Sequence, residues 1–124
     1  MASRVTHFEI PSDNPEKAAQ FYTAAFGWQI QKWGGPQEYW LVHTGDGQPG
    51  IDGGILRRGG PFDRVINTIN VDDVDASTHS VQQLGATLVG DKITIPDVGY
   101  LQYAQDPDGN IFGMMQPVTA AVQA

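Results

Sequence analysis

The side chains with the most chemistry in this 124-residue chain are His7 and Glu9. An unperturbed imidazole titrates near neutrality, so His7 is suited to holding a metal or moving a proton. Glu9 follows two residues on, and in a strand that spacing puts both side chains on one face. The pair reads either as a base with its orienter or as a hydrogen-bonded pair in a polar cleft. The chain has no cysteine, which removes thiolate ligands, Cys nucleophiles and disulfides. No serine sits in a nucleophile motif. Gly53-Gly54 and Gly59-Gly60 do not lead into helices, so neither pair is a phosphate cradle. His43 falls near the end of a strand and reads as a surface residue, and His79 lies opposite the apolar stripe of a helix and reads as solvated.

The elements that must position these groups come in two sets. Residues 4–10 alternate as a strand, with Val5, His7 and Glu9 on one face and Thr6, Phe8 and Ile10 on the other. Asp13 or Asn14 can cap a helix that Pro15 opens and Gly27 closes. Ala18, Phe21, Tyr22, Ala25 and Phe26 form its apolar stripe. Strands follow over 28–33, 38–44 and 51–57, separated by Gly34-Gly35-Pro36 and by a loop over 45–50. The order then repeats. A strand near 65–71 leads to a second helix with Val74, Thr78, Val81 and Leu84 at core spacing. Short strands over 87–89 and 92–95 flank a Gly90-Asp91 turn, and strands over 100–105 and 110–116 complete the set. Asp106-Pro107-Asp108-Gly109 is a structural turn, with Pro second and Gly fourth. The helices are expected near residues 14–26 and 73–84. The whole is a tandem of β-α-β-β-β units, about 4–57 and 64–117, in one α+β domain with a cleft between the halves.

Composition narrows the function. Hydrophobic residues make up 40% of the chain, enough for a core at this length. The net charge of −7 argues against nucleic acid and anionic membrane surfaces, which need clustered Lys and Arg. No apolar run approaches membrane-spanning length, and Met1-Ala2-Ser3-Arg4 leads straight into a strand rather than a signal peptide. A soluble, cytoplasmic protein is expected. The Ala-rich tail from Thr119 to Ala124 carries no readable signal.

The run Val5-Thr6-His7-Phe8-Glu9-Ile10, with Phe21-Tyr22 and Phe26-Gly27-Trp28, resembles the opening of the vicinal oxygen chelate superfamily. That superfamily holds glyoxalase I, bleomycin- and fosfomycin-resistance proteins and extradiol dioxygenases. Asp106-Pro107-Asp108-Gly109-Asn110 before an apolar strand is similar to its closing signature. Gly53-Gly54-Ile55-Leu56-Arg57 and Asp106 to Gly113 look like the branch related to lactoylglutathione lyase. The resemblance implies paired βαβββ modules and a homodimer, with Trp33 or Trp40 as candidates for its interface. It also implies four matched metal-ligand positions, filled here by His7, Gly54, Ile66 and Gly113. Only His7 carries a donor, and a catalytic metal usually needs three protein ligands. No metal and no other cofactor is therefore expected.

By alternation from Gly54 and Ile66, Asp52 and Thr68 face the same cleft as His7, and Leu56, Ile66, Ile111 and Met115 line it. An apolar lining with a few polar groups suits a small organic ligand. Asn67 falls on the helix-packed face, where a buried amide needs partners. Trp28 reads as core; Trp33, Tyr39 and Trp40 could serve core, pocket or interface. Three functions stand open: a metal-free binder of a small organic molecule, a lyase or isomerase using His7 and Glu9 for proton transfer, and a metal-dependent glyoxalase or dioxygenase.

Overall fold

The computed structural model describes residues 3–118, so Met1, Ala2 and the tail from Thr119 lie outside the described residues. It has an α+β fold of two β-α-β-β-β units, as the repeat predicts. In chain order the first carries β1 (Val5–Ser12), α1 (Pro15–Phe26), β2 (Gln29–Lys32), β3 (Tyr39–His43) and β4 (Asp52–Arg57). The second carries β5 (Ile66–Asn70), α2 (Val74–Gln83), β6 (Thr87–Ile95), β7 (Gly99–Gln105) and β8 (Ile111–Pro117). By contacts, residues 6–66 form one compact unit, and the other begins at Asn67 and takes in Arg4 and Val5. No helix among the described residues is long and apolar enough to cross a membrane.

In the first unit the strands lie in the order β2-β3-β4-β1. β1 and β4 run parallel, with His7 opposite Asp52 and Glu9 opposite Gly54. A parallel pair needs a long crossover, which α1, β2 and β3 provide. Asn14 caps α1 by accepting from the Lys17 amide, Pro15 occupies the first turn where no amide is needed, and Gly27 ends the helix at φ 74°. One face of the sheet packs on α1. Ala19, Val42 and Ile55 are buried there, with Phe8, Ile10, Ala18, Tyr22, Trp28, Ile30 and Trp40 against them. Arg57 at the end of β4 donates through Nε and Nη2 to both oxygens of Glu38, beside the start of β3.

Two expectations about this unit change. Phe21 and Phe26 are mostly exposed (61% and 64%) rather than core. The buried stripe of α1 rests on Ala18, Ala19 and Tyr22; Phe21 packs on the Tyr22 ring, and Phe26 packs on Tyr22 and Trp28. Trp40 packs against the core, and Trp33 is half-buried against Tyr39, so neither is fully exposed in the single chain.

In the second unit the order is β5-β8-β7-β6, with β5 and β8 parallel. Asp73 caps α2 through the Asp75 and Ala76 amides. Val71, Val74, Ala104 and Met114 form its buried core, with Val81, Leu88 and Phe112 against them. Leu84 is 80% exposed instead of core, because α2 ends at Gln83 and the stripe ends with it. The two short strands expected around Gly90-Asp91 are one strand, β6, whose pairing with β7 shifts between Val89 and Ile93. Gly90 takes φ 71°, and buried Gln102 donates from Nε2 to its carbonyl. The apparent turn is thus a β-bulge. Asn67 pairs with Phe112 but is exposed, so it needs no buried partner. The Asp106 to Gly109 turn is structural as expected: Asp106 Oδ1 accepts from the amides of Asp108 and Asn110.

Candidate functional site

The face of the first unit away from α1 is laid out in rows by strand register. Gln29 on β2 pairs with His43 on β3, and Asp52 on β4 pairs with His7 on β1. Val42 pairs with Gly53, so His43 and Asp52 come level one step on, and they hydrogen-bond. The first row is therefore Gln29, His43, Asp52, His7. The next is Gln31, Leu41, Gly54, Glu9, and beyond it lie Tyr39, Leu56 and Pro11. Alternation puts every one of these side chains on the same face. His7, Gln29, Gln31, Leu41, His43 and Asp52 line a groove of about 470 Å³.

Tyr39 makes the decisive contact. Its hydroxyl lies 2.8 Å from His7 Nε2, and the two rings are near parallel, 12° apart. The phenol reaches there by crossing Gly54. A Cβ at Gly54 would overlap the Tyr39 hydroxyl and ring, so glycine is required here for space, not for backbone conformation. Trp33 braces Tyr39 edge-on at 6.3 Å, its own ring lying over Gly35. Glu9 is buried, at 4% exposure.

Burial pushes His7 below its ordinary pKa, against the opposing pull of Glu9 and Asp52, so the ring is held neutral. His43 is moved the other way: hydrogen bonds to Asp52 and Asp46 raise it. Burial alone would raise Asp52, but the bonds from His43 and Thr44 outweigh it and its carboxyl is lowered.

These directions give a pH prediction. The unfolded His7 ring gains its proton near the ordinary value of 6.5, and the folded ring only at lower pH. Folding then releases protons over that interval, and stability falls as the pH drops below 6.5 toward the folded value. His43 contributes with the opposite sign: its part is present below 6.5 and lost as pH rises through its folded value, and solvent exposure keeps it small. Urea unfolding of wild type and His7→Gln near pH 7.5 and near pH 5.5 should show a shallower acid loss in the variant. Equal losses in both would mean that His7 is not held neutral by the fold.

The structure brings His7, Glu9, Asp52 and Leu56 to one face, as the alternation predicts. In the second unit Thr68, Gly113 and Tyr103 share a row, with Asn70, Met115 and Leu101 in the next. Thr68 is buried, and a Cβ at Gly113 would come within 3.0 Å of its Oγ1 and 3.3 Å of Leu101. Ile66 is buried and Ile111 half-buried. Tyr39 and His43, with Gln29, Gln31 and Leu41, are residues that sequence reasoning missed as site groups. Alternation had placed Tyr39 on a strand without choosing its face. His43 shares its residue period with Tyr39 and Leu41, so a secure register for β3 would have found both.

The donors present do not fit a catalytic metal. Among the described residues no three His, Cys, Asp or Glu side chains gather as an ion's cage. His7 Nε2 is engaged by a phenol, and the space over Gly54 is filled by the same ring.

Comparison with known proteins places these features in context. Residues 4–45 match a family model described as bleomycin resistance protein-like, N-terminal. A glyoxylase-like domain-containing protein of Didymella fabae is 30% identical over 118 residues, covering 86% of this chain and 88% of that one. The Mycobacterium bovis protein CFP32, which carries a glyoxylase name, is 29% identical over 115 residues; the match takes in 88% of this chain but only 42% of that longer protein. Among solved structures, Streptomyces coelicolor methylmalonyl-CoA epimerase in complex with 2-nitronate-propionyl-CoA superposes with a TM-score of 0.72 at 14% identity, covering 96% of this chain and all of that one. At that identity the likeness is one of fold.

Proposed function

The chain belongs to the glyoxalase-like proteins of the vicinal oxygen chelate superfamily, and from that premise we propose that it binds a small organic molecule on the helix-free face of its first unit without a catalytic metal. The observation that carries this reading is the Tyr39 phenol lying across Gly54 with its hydroxyl on His7 Nε2. A phenol stands where the resemblance expects a metal ligand, and Ile66 and Gly113 at two further matched positions have no donor atoms. The groove beside it combines Leu41 with the amides of Gln29 and Gln31 and the His7, His43 and Asp52 groups. That mixture orients a small polar molecule against an apolar floor. The Streptomyces coelicolor neighbour holds a small-molecule CoA derivative, which favours a small-molecule ligand in kind.

A second reading rests on the His7–Tyr39 contact itself. A neutral imidazole 2.8 Å from a phenol, with a buried carboxylate on the same face, can pass a proton to and from a bound substrate. His7 would be the base, and Tyr39 would hold its ring in place and hydrogen-bond the developing charge. This is the lyase or isomerase alternative, with Tyr39 added to the residues that carry it.

The test is a metal inventory and native mass spectrometry of protein purified without added metal. Substoichiometric zinc, nickel, iron and manganese, together with a mass increment from a bound organic compound, is the expected result. One metal ion per chain would overturn the metal-free reading. Incorporation of solvent deuterium into the recovered compound, lost in His7→Ala, selects proton transfer over simple binding. The protein is further proposed to be a homodimer. Light scattering should give about twice the 13.4 kDa chain mass, and a monomer at micromolar concentration would sink that part.

A further inference from the structure

Donor and acceptor arithmetic at His43 leads beyond ligand binding. Nδ1 lies 2.9 Å from Asp52 Oδ2, and Nε2 lies 3.1 Å from Asp46 Oδ2. An ionised carboxylate accepts hydrogen bonds and donates none, so both contacts are bonds only when both ring nitrogens carry protons. The two contacts together suit an imidazolium. A neutral ring can keep one of the two.

The two carboxylates belong to different parts of the unit. Asp52 starts β4 and is fixed by Thr44, whose amide donates to Oδ1 at 3.0 Å. Asp46 sits in the loop over residues 45–50, where Gly45 and Gly47 adopt φ 144° and 79°. Thr44 Oγ1 donates to the Ile51 carbonyl and so pins the base of the loop. Among the described residues, the His43–Asp46 bond is the one hydrogen bond from residues 45–50 to the rest of the chain. The Asp46 side chain is 90% exposed, against 52% for Asp52. On losing a proton the ring therefore keeps Asp52, the shorter and less solvated bond, and releases Asp46.

We infer that His43 is a pH-operated fastener for the loop over residues 45–50, closed while the ring is doubly protonated and open once it is not. The groups facing His43 are Asp46 and Asp52, with uncharged Gln29 level with it on β2 and His7 beyond Asp52 on β1. Both bonded neighbours are carboxylates, so they raise the ring's pKa above its ordinary value. His43 and Asp52 line the groove, and the loop over residues 45–50 joins their two strands. That loop should loosen as pH rises. The inference needs no ligand and stands apart from the metal-free reading.

The test is NMR of the ligand-free protein from about pH 5.5 to about pH 9, following the His43 ring and the amides of residues 45–50. The loop amides should shift with the same midpoint as the His43 ring, above 6.5. Their hydrogen exchange, corrected for intrinsic pH dependence, should accelerate roughly threefold across it. Asp46→Asn, a change at an exposed residue, should lower the ring's midpoint and remove the loop's transition. His43→Gln should leave the loop signals independent of pH. The idea fails if the loop amides stay flat while His43 titrates, if the loop titrates in His43→Gln as in wild type, or if the ring titrates below 6.5.

Discussion

Gly53→Ala is expected to destabilise the protein by about 3 kcal/mol, while Gly54→Ala, one residue on, leaves it folded. The two glycines sit on opposite faces of β4, and that decides the difference. A Cβ at Gly53 points to the α1 side and overlaps the Phe8 carbonyl oxygen and ring. Phe8 is paired with Gly53 in the parallel β1–β4 ladder, so the obstructing atom is backbone and cannot move without opening the sheet. A Cβ at Gly54 overlaps only the Tyr39 side chain, whose ring can rotate out. That should cost about 1 kcal/mol, the worth of one net hydrogen bond and some packing. Its effect is on the site. Burial holds the His7 ring below its ordinary pKa, so unseating the phenol that covers it should move that pKa upward. Urea unfolding of both variants, with an NMR titration of His7 in Gly54→Ala, checks the pair. Similar stability losses in the two, or an unmoved His7, would show that Tyr39 is not the group lying over Gly54.

His7→Ala is expected to have the largest functional effect. If the compound that co-purifies is merely bound, loss of a half-buried imidazole should weaken it about tenfold or more, because a hydrogen bond in a partly desolvated groove is lost and Tyr39 loses its partner. If the protein turns the compound over, removing the base should slow turnover by about 10² to 10⁴. Tyr39→Phe separates positioning from proton transfer. It keeps the ring over Gly54 and removes only the hydroxyl. Binding should then fall by only a few fold, while any turnover that needs the His7–Tyr39 contact falls much further. Native mass spectrometry occupancy and turnover of the recovered compound measure the two. A Tyr39→Phe protein matching wild type in both, beside an inactive His7→Ala, would leave Tyr39 as packing alone.

How far the site was legible can be followed residue by residue. His7, Glu9, Asp52 and Leu56 were placed together correctly, because alternation along a strand is a local rule and β1 and β4 each obey it. The cap of α1 was visible for the same reason, narrowed to Asp13 or Asn14, because a cap is made by atoms two or three residues away; the structure chooses Asn14. Phe21, Phe26 and Leu84 were misassigned to the core, because periodicity reports a helix's apolar side but not how wide a strip of it the sheet covers. The Gly90 bulge was read as a turn because the two share a glycine at positive φ, and only the partner strand distinguishes them.

The sequence by itself determined the tandem of β-α-β-β-β units and the limits of the helices. Both rest on residue type and on spacing within a few positions of the chain. Only the tertiary structure decided what occupies the space over Gly54 and which carboxylates His43 meets. Tyr39 meets His7 across 32 positions of sequence, and His43 meets Asp46 and Asp52 through a loop and a neighbouring strand. An empty position in sequence records that a side chain is missing. Whether another side chain fills that space, or a ring gains a second carboxylate, depends on which strands lie side by side, and that is set by burial of the whole unit rather than by any short segment.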